Sequence, residues 1–234
     1  MTSSLSLNYF VAGASRGVGF EVVKGLRQQG CTVAALVRTD DTQATLQSLG
    51  ARVYIGDALD REGVKAALTD FATAPFAVVT TLGGRGILRD EPRSDYWGNR
   101  HLVEAAQGLP CQRVLLVSSI GVGESAIALP PEVLATLRPA LLAKAKAEEY
   151  LIASGLPYTI VRPGGLLSAP ATGQGCLTED VAVAGSITRL DVADLVIQCL
   201  QSPLAVNKVL SAVDRDRCRS AQPMVAFDHT RSPT

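Results

Sequence analysis

Leu7-Asn8-Tyr9-Phe10-Val11-Ala12-Gly13-Ala14-Ser15-Arg16-Gly17-Val18-Gly19 is the stretch that decides the fold. Its first half is a short apolar run of strand type. Its second half is a turn carrying three glycines, and a helix is predicted to begin near Val18. Glycine at the strand exit lets the backbone turn sharply, and the missing side chains let an anionic group approach main-chain N–H groups at the helix N-terminus, where the helix dipole favours negative charge. Gly13, Ser15, Arg16, Gly17, Val18 and Gly19 thereby form a candidate dinucleotide cradle. A second apolar strand, residues 32–37, follows within one βαβ length, as this fingerprint requires.

Apolar runs rich in Val, Ile and Leu recur at 9–12, 32–37, 52–55, 76–80, 113–118, 158–161 and 208–211. They do not alternate with polar residues, which points to strands buried on both faces in a parallel sheet. Helical segments are predicted between them, at 18–29, 41–49, 61–71, 96–107, 131–154 and 191–201. Gly30 and Ser154-Gly155 are read as helix stops, and Asp60 as a helix cap. Strand and helix in turn, joined by right-handed crossovers, give an α/β doubly wound parallel sheet in three layers, the Rossmann arrangement, with ligands expected where the strand order reverses. The chain reads as one domain over 1–234, with loops at 82–95, 120–131 and 163–188 serving the site, the last as a lid, and a flexible tail at 214–234.

Composition excludes several classes. Lys plus Arg and Asp plus Glu both total 22 in 234 residues, so no net field recruits nucleic acid or an anionic membrane surface. The five cysteines are scattered without metal-ligand spacing and are expected as reduced, mostly buried thiols; no metal site is predicted. Neither a leader pattern nor an apolar run of spanning length is legible, so a cytoplasmic protein is expected; no oligomer seam is legible either, which leaves a monomer or a homodimer.

The exit of the second strand bears on the cofactor. NAD requires a carboxylate for the ribose 2′-hydroxyl, whereas NADP requires cations for a 2′-phosphate. Arg38 stands where the carboxylate is expected, followed by Thr39, and Arg16 lies in the glycine turn; two guanidiniums and a hydroxyl suit a phosphate. NADP(H) is therefore expected, with Asp40 and Asp41 as the counter-indication. Asp57-Ala58, closing the third strand, is read either as an adenine contact or as a helix-entry turn.

The chain resembles the short-chain dehydrogenases/reductases from Tyr9 to about Ser211, and in particular their atypical NmrA-like and biliverdin-IXβ reductase/flavin reductase branch. The resemblance rests on the glycine turn, Gly56-Asp57, Gly98-Asn99-Arg100, Val117-Ser118-Ser119-Ile120-Gly121, Lys144-Ala145-Lys146-Ala147-Glu148, Tyr158 through Gly165, and Ile187 through Ala193. It implies that Thr80, Thr81, Leu82, Gly83 and Gly84 line the cofactor, that Ser118 and Ser119 lie near the nicotinamide, and that Lys144 holds its ribose. It further implies that Pro163, Gly164 and Gly165 meet the carboxamide.

The family's Tyr-x-x-x-Lys proton relay is incomplete here, because the position four residues before Lys144 is Ala140. Tyr150, ten residues further on, cannot substitute. Reduction of an isolated ketone needs a positioned acid, typically worth about 10² to 10⁴-fold in rate. A conjugated acceptor delocalises the arriving charge and takes its proton from water. The expectation is thus an NADPH-dependent reductase of a flavin, a biliverdin-type tetrapyrrole or a similar ring system, with Ser119 and Lys144 as catalytic candidates. The alternative is a non-catalytic NADP(H)-binding sensor or assembly factor of NmrA-like type. Arg85, Arg89 and Arg93 are candidate attractors of an anionic substrate, with a solvated loop as the plain reading. Glu148 and Glu149 read most simply as surface partners of Lys144 and Lys146.

Overall fold

The chain lays down β1 (Asn8–Ala12), α1 (Gly17–Gln28), β2 (Val33–Val37), α2 (Gln43–Ser48), β3 (Arg52–Ile55), α3 (Arg61–Phe71), β4 (Phe76–Thr80) and α4 (Trp97–Ala106). β5 (Cys111–Val117), α5 (Pro131–Ala153), β6 (Tyr158–Pro163), β7 (Gly165–Leu167), β8 (Gly175–Thr178), β9 (Ser186–Thr188), α6 (Arg189–Gln201) and β10 (Lys208–Asp214) follow. The computed structural model describes residues 7–83, 94–220 and 223–228. The main sheet runs β3-β2-β1-β4-β5-β6-β10-β8. All its pairings are parallel except that of β8 with β10. The order reverses between β1 and β4: β1 is flanked in parallel register by β2 (Ala12 beside Leu36) and by β4 (Ala12 beside Thr80).

Alternate residues of β1 feed two cores. Tyr9 and Val11 pack with α1 and α6 on one face. Phe10 and Ala12 pack with α3, α4 and α5 on the other. Phe10 lies 5.7 Å from Phe71, which lies 6.0 Å from Phe76, ring centre to ring centre. Each of these rings is buried and contributes roughly 2–3 kcal/mol by leaving water. The continuous apolar runs of β1, β2 and β4 are thus explained, since helices cover both sides.

The helix ends follow local chemistry. Gly30 takes φ +78° just beyond α1, and the Asp60 carboxylate accepts the Gly63 N–H at 3.1 Å to cap α3. In α5, Pro131 opens the helix, while Pro139 in its interior has no N–H to give to the Ala135 carbonyl.

Two expectations are corrected. The 163–188 stretch is not one open lid: β7 and β9 pair as a separate parallel ribbon, and β8 adds an antiparallel edge to the sheet. These strands have three or four residues each and carry no apolar run, so periodicity could not expose them. The segment beyond Val213, expected as a flexible tail, is tied to the fold at 214–219 and again at Phe227. Asp214 caps the turn at Arg215–Arg217, Ala184 and Arg219 exchange backbone hydrogen bonds at 2.9 and 2.7 Å, and Phe227 N–H donates to Leu177 O at 2.7 Å. Among the described residues no helix is long and apolar enough to cross a membrane.

Candidate active site

The glycine turn is shaped by close approach. Gly13 (φ +82°) leaves β1 so that a side chain there would sit 2.7 Å from Thr81 Oγ1. A side chain at Gly19 would sit 2.5 Å from the carbonyl oxygen of Gly13. Only glycine lets α1 lie this close to the strand exit. Arg16, in extended backbone, precedes α1 and offers no side-chain cap, so the first N–H groups of the helix are not closed by a side chain. Open N–H groups at a helix N-terminus favour an anionic group.

A cleft of about 770 Å³ opens beside the turn, at the carboxyl end of the sheet. It unites Arg16, Gly17, Val18, Thr81, Gly83, Ser118, Ser119 and Lys144, all singled out from the sequence, and Ala140 lines it too. The position of the missing tyrosine therefore faces the same space as Lys144, and nothing on α5 replaces its hydroxyl. Tyr150 donates instead to Glu104 at 3.1 Å.

The two serines separate in role. Ser119 Oγ donates to the neighbouring Ile120 carbonyl at 2.9 Å. Ser118 Oγ, on a residue only 6% exposed, has no hydrogen-bond partner among the described residues. A buried hydroxyl without a partner costs free energy unless something satisfies it, and Ser118 lies in the lining of this cleft. Lys144 Nζ reaches from α5 to the Val117 carbonyl, 3.4 Å away at the end of β5. Glu148, expected as a surface residue, is buried one turn further on and forms two hydrogen bonds to Arg162 on β6, at 3.1 and 2.6 Å. Sequence pairing on one helix could not anticipate a partner from a strand.

The cleft also holds residues that the sequence did not single out. Arg189, opening α6, donates to Ser168 Oγ at 2.8 Å and stands across from Gly17, near enough that a side chain at Gly17 would meet it at 3.5 Å. Leu166, Ser168 and the buried Asp95 complete the wall. Arg189 was legible in outline, since it lies in the Ile187–Ala193 motif as the first residue of a helix that starts beside the cradle.

Other expected contacts lie elsewhere. Thr80 is buried and turned into α4, donating to Asn99 Oδ1 at 2.5 Å. Leu82 packs against the α3–α4 core; Thr81 lines the cleft, but its Oγ1 is directed to the carbonyls of Ala12 and Gly13, both at 3.2 Å. Pro163, Gly164 and Gly165 are not among the residues lining the cleft: a side chain at Gly164 would sit 2.4 Å from the Gly185 carbonyl, so glycine there lets the chain entering β7 lie against the chain entering β9. Arg38 and Thr39 leave β2, and Asp57 leaves its neighbour β3, on the rim beyond the cleft lining. Thr39 Oγ1 donates to Asp41 at 2.8 Å, and Asp57 accepts the Leu59 N–H at 2.9 Å, forming the helix-entry turn. Ala58 is buried, its carbonyl bonded to His101 Nδ1 at 3.0 Å. Gly84, Arg85, Arg89 and Arg93 lie outside the described residues.

Comparison with known proteins bears on what this geometry holds. A family model described as NAD(P)H-binding matches residues 13–203. An uncharacterised chloroplastic protein of Arabidopsis thaliana is 34% identical over 219 residues, covering 88% of this chain and 76% of its own length. The chloroplastic protein TIC 62 of Pisum sativum is 30% identical over 227 residues; 87% of this chain aligns, but the match spans only 42% of the pea protein. Among solved structures, the anaerobillin reductase ChuY of Escherichia coli O157:H7 superposes with a TM-score of 0.80 at 30% identity, covering 89% of this chain and 98% of that one.

Proposed function

The chain belongs to the NAD(P)H-binding family, and from that premise we propose that it is an NADPH-dependent reductase of a conjugated, planar acceptor such as a flavin or a linear tetrapyrrole. One observation carries the reading: Ala140 and Lys144 share the cleft with an unpartnered Ser118 hydroxyl, so the site offers orientation and hydrogen bonding without a tyrosine acid. The relation to ChuY, an anaerobillin reductase, supports an acceptor of this kind.

In this reading the glycine turn and Arg16 hold the pyrophosphate, with Arg189 as a second cation on the opposite wall. Ser118 donates to the nicotinamide end, and Lys144 holds the ribose hydroxyls. When bound, the dinucleotide supplies a hydride, and the protein supplies the shelf on which the acceptor is oriented. Leu137, Leu141 and Leu166 give that shelf an apolar surface. The acceptor's proton comes from solvent, because no tyrosine is among the described residues lining the cleft. Arg38 at the β2 exit, together with Arg16, supports the 2′-phosphorylated cofactor.

Steady-state NADPH oxidation with FMN, FAD, quinones and biliverdin isomers tests the proposal. Turnover of at least one is expected. Tight NADPH binding with no turnover of any, together with discrimination between the oxidised and reduced dinucleotide, would overturn it in favour of a binding protein that senses NADP(H).

A further inference from the structure

A second groove, of about 980 Å³, lies against the start of α5. Leu129, Pro130 and Val133 form one wall; Ala184, Gly185, Ser186 and residues 216–220 form the other. It lies along the same helix and the same ribbon as the cleft. Val133 lines the groove, while Leu137, Ala140, Leu141 and Lys144 line the cleft, so successive turns of one helix face pass from the first space into the second. At 1.5 Å per residue, Val133 lies about 16 Å from Lys144 along the axis. The β7–β9 ribbon spans both in the same way, with Ser186 in the groove and Leu166, one step along the pairing, in the cleft.

Charge distinguishes the far end. Arg217 and Arg219 line it with Asp216 as the acidic residue, which leaves one net positive charge. The arginines stand on anchored backbone: Arg219 is bridged to Ala184, and the Cys218 thiol between them contacts Met224 at 4.0 Å. Arg217 Nε is 4.0 Å from the buried Asp214, too long for a hydrogen bond, and Arg219 has no ion pair among the described residues. Beside them Ile127 is 73% exposed, an apolar surface for a ligand to cover.

We infer that this groove seats an anionic arm, carboxylate or phosphate, carried by an elongated acceptor whose conjugated body lies in the cleft, and that Arg217 and Arg219 are its counter-charges. The inference rests on the reductase reading for the identity of the molecule, and it adds where its charge goes and how far from the hydride end. An acceptor reaching from Lys144 to Arg217 must be longer than a single small ring.

Two matched pairs of probes test it: FMN against riboflavin, and biliverdin against its dimethyl ester. The first pair differs in a phosphate and the second in carboxylates, so the pair that responds identifies the arm. Binding to the NADP⁺-loaded full chain is read by flavin fluorescence or tetrapyrrole absorbance, independently of turnover. The anionic member of at least one pair should bind about tenfold more tightly, with the gap narrowing as salt is raised. The R217Q/R219Q double variant should abolish the gap while leaving the neutral member and NADP⁺ unaffected. The inference is overturned if neither pair shows a preference, or if the preference survives in the double variant. Charge-dependent binding without hydride transfer would uphold the groove and reject the reductase reading. Equal turnover of anionic and neutral members would do the reverse.

Discussion

Arg162 on β6 grips Glu148 on α5 through Nε and Nη2, at 3.1 and 2.6 Å, inside the fold and one helical turn from Lys144. Gly123, in the loop after β5, lies beside this guanidinium: a side chain there would stand 3.4 Å from it, in ordinary contact. The pair therefore joins α5, β6 and the β5 loop, and it sets the helix register in which Lys144 meets Val117. Removing one partner strands the other charge out of water, so Glu148→Gln should lower stability by about 3 kcal/mol in urea unfolding. A matched apolar pair, Glu148→Met with Arg162→Met, should recover most of that loss, because no buried charge then remains.

Ser118 makes a prediction of opposite signs in two states. Without ligand, Ser118→Ala removes a buried hydroxyl that has no partner, so melting temperature should hold or rise slightly. With NADPH, the hydrogen bond proposed for that hydroxyl is gone, and affinity should fall about fivefold. Thermal unfolding with and without saturating NADPH reads both. An equal drop in the two states would mean that Ser118 serves packing alone.

Cofactor choice turns on residues just beyond β2. Arg38 is exposed and Thr39 is held by Asp41, so the hydroxyl expected for a 2′-phosphate already has a carboxylate beside it. Neutralising the cation in Arg38→Gln should weaken NADPH about tenfold and leave NADH unchanged. Asp41→Asn removes the nearby negative charge and should tighten NADPH by about twofold to threefold. Fluorescence titration of both dinucleotides against the three proteins checks the pattern; parallel losses for NADPH and NADH in Arg38→Gln would contradict the phosphate assignment.

The fold was legible because its seven parallel strands are continuous apolar runs, and continuous burial leaves a strong trace in sequence. The antiparallel edge β8 and the β7–β9 ribbon left none, being short and rich in Gly, Ser and Thr. At the site, residues that act through backbone geometry could be read from the glycine spacing. Thr80 could not be separated from Thr81, since adjacent strand residues point to opposite faces and only the packing of Asn99 shows which one turns inward. Nor could Glu148 be separated from Glu149 until Arg162 arrived from a strand 14 residues away. Arg217 and Arg219 sit in a segment whose charged composition resembles a solvated tail, and a single backbone bridge to Ala184 makes it a wall.

Asp191 carries the acid prediction. Burial pushes its carboxyl upward, but hydrogen bonds from Thr172 N–H at 3.0 Å, Thr188 Oγ1 at 2.7 Å, Gly173 N–H at 2.9 Å and Thr172 Oγ1 outweigh burial and hold it below the usual carboxylate range. A carboxyl depressed in the fold contributes stability that is complete above its unfolded value, about 3.9, and is lost as pH falls through the folded value. Asp194, one turn on, is pushed up by burial and by the Asp191 charge, so its own effect lies above that value and the two windows do not overlap. Urea midpoints of wild type should therefore fall steeply below about pH 4, and Asp191→Asn should flatten that limb. Because the same carboxylate ties 172–173 to the start of α6, where Arg189 enters the cleft, NADPH affinity should weaken along with stability over this acid limb. If the two proteins lose stability in parallel below pH 4, the acid limb belongs to other carboxylates and Asp191 is only a packing residue.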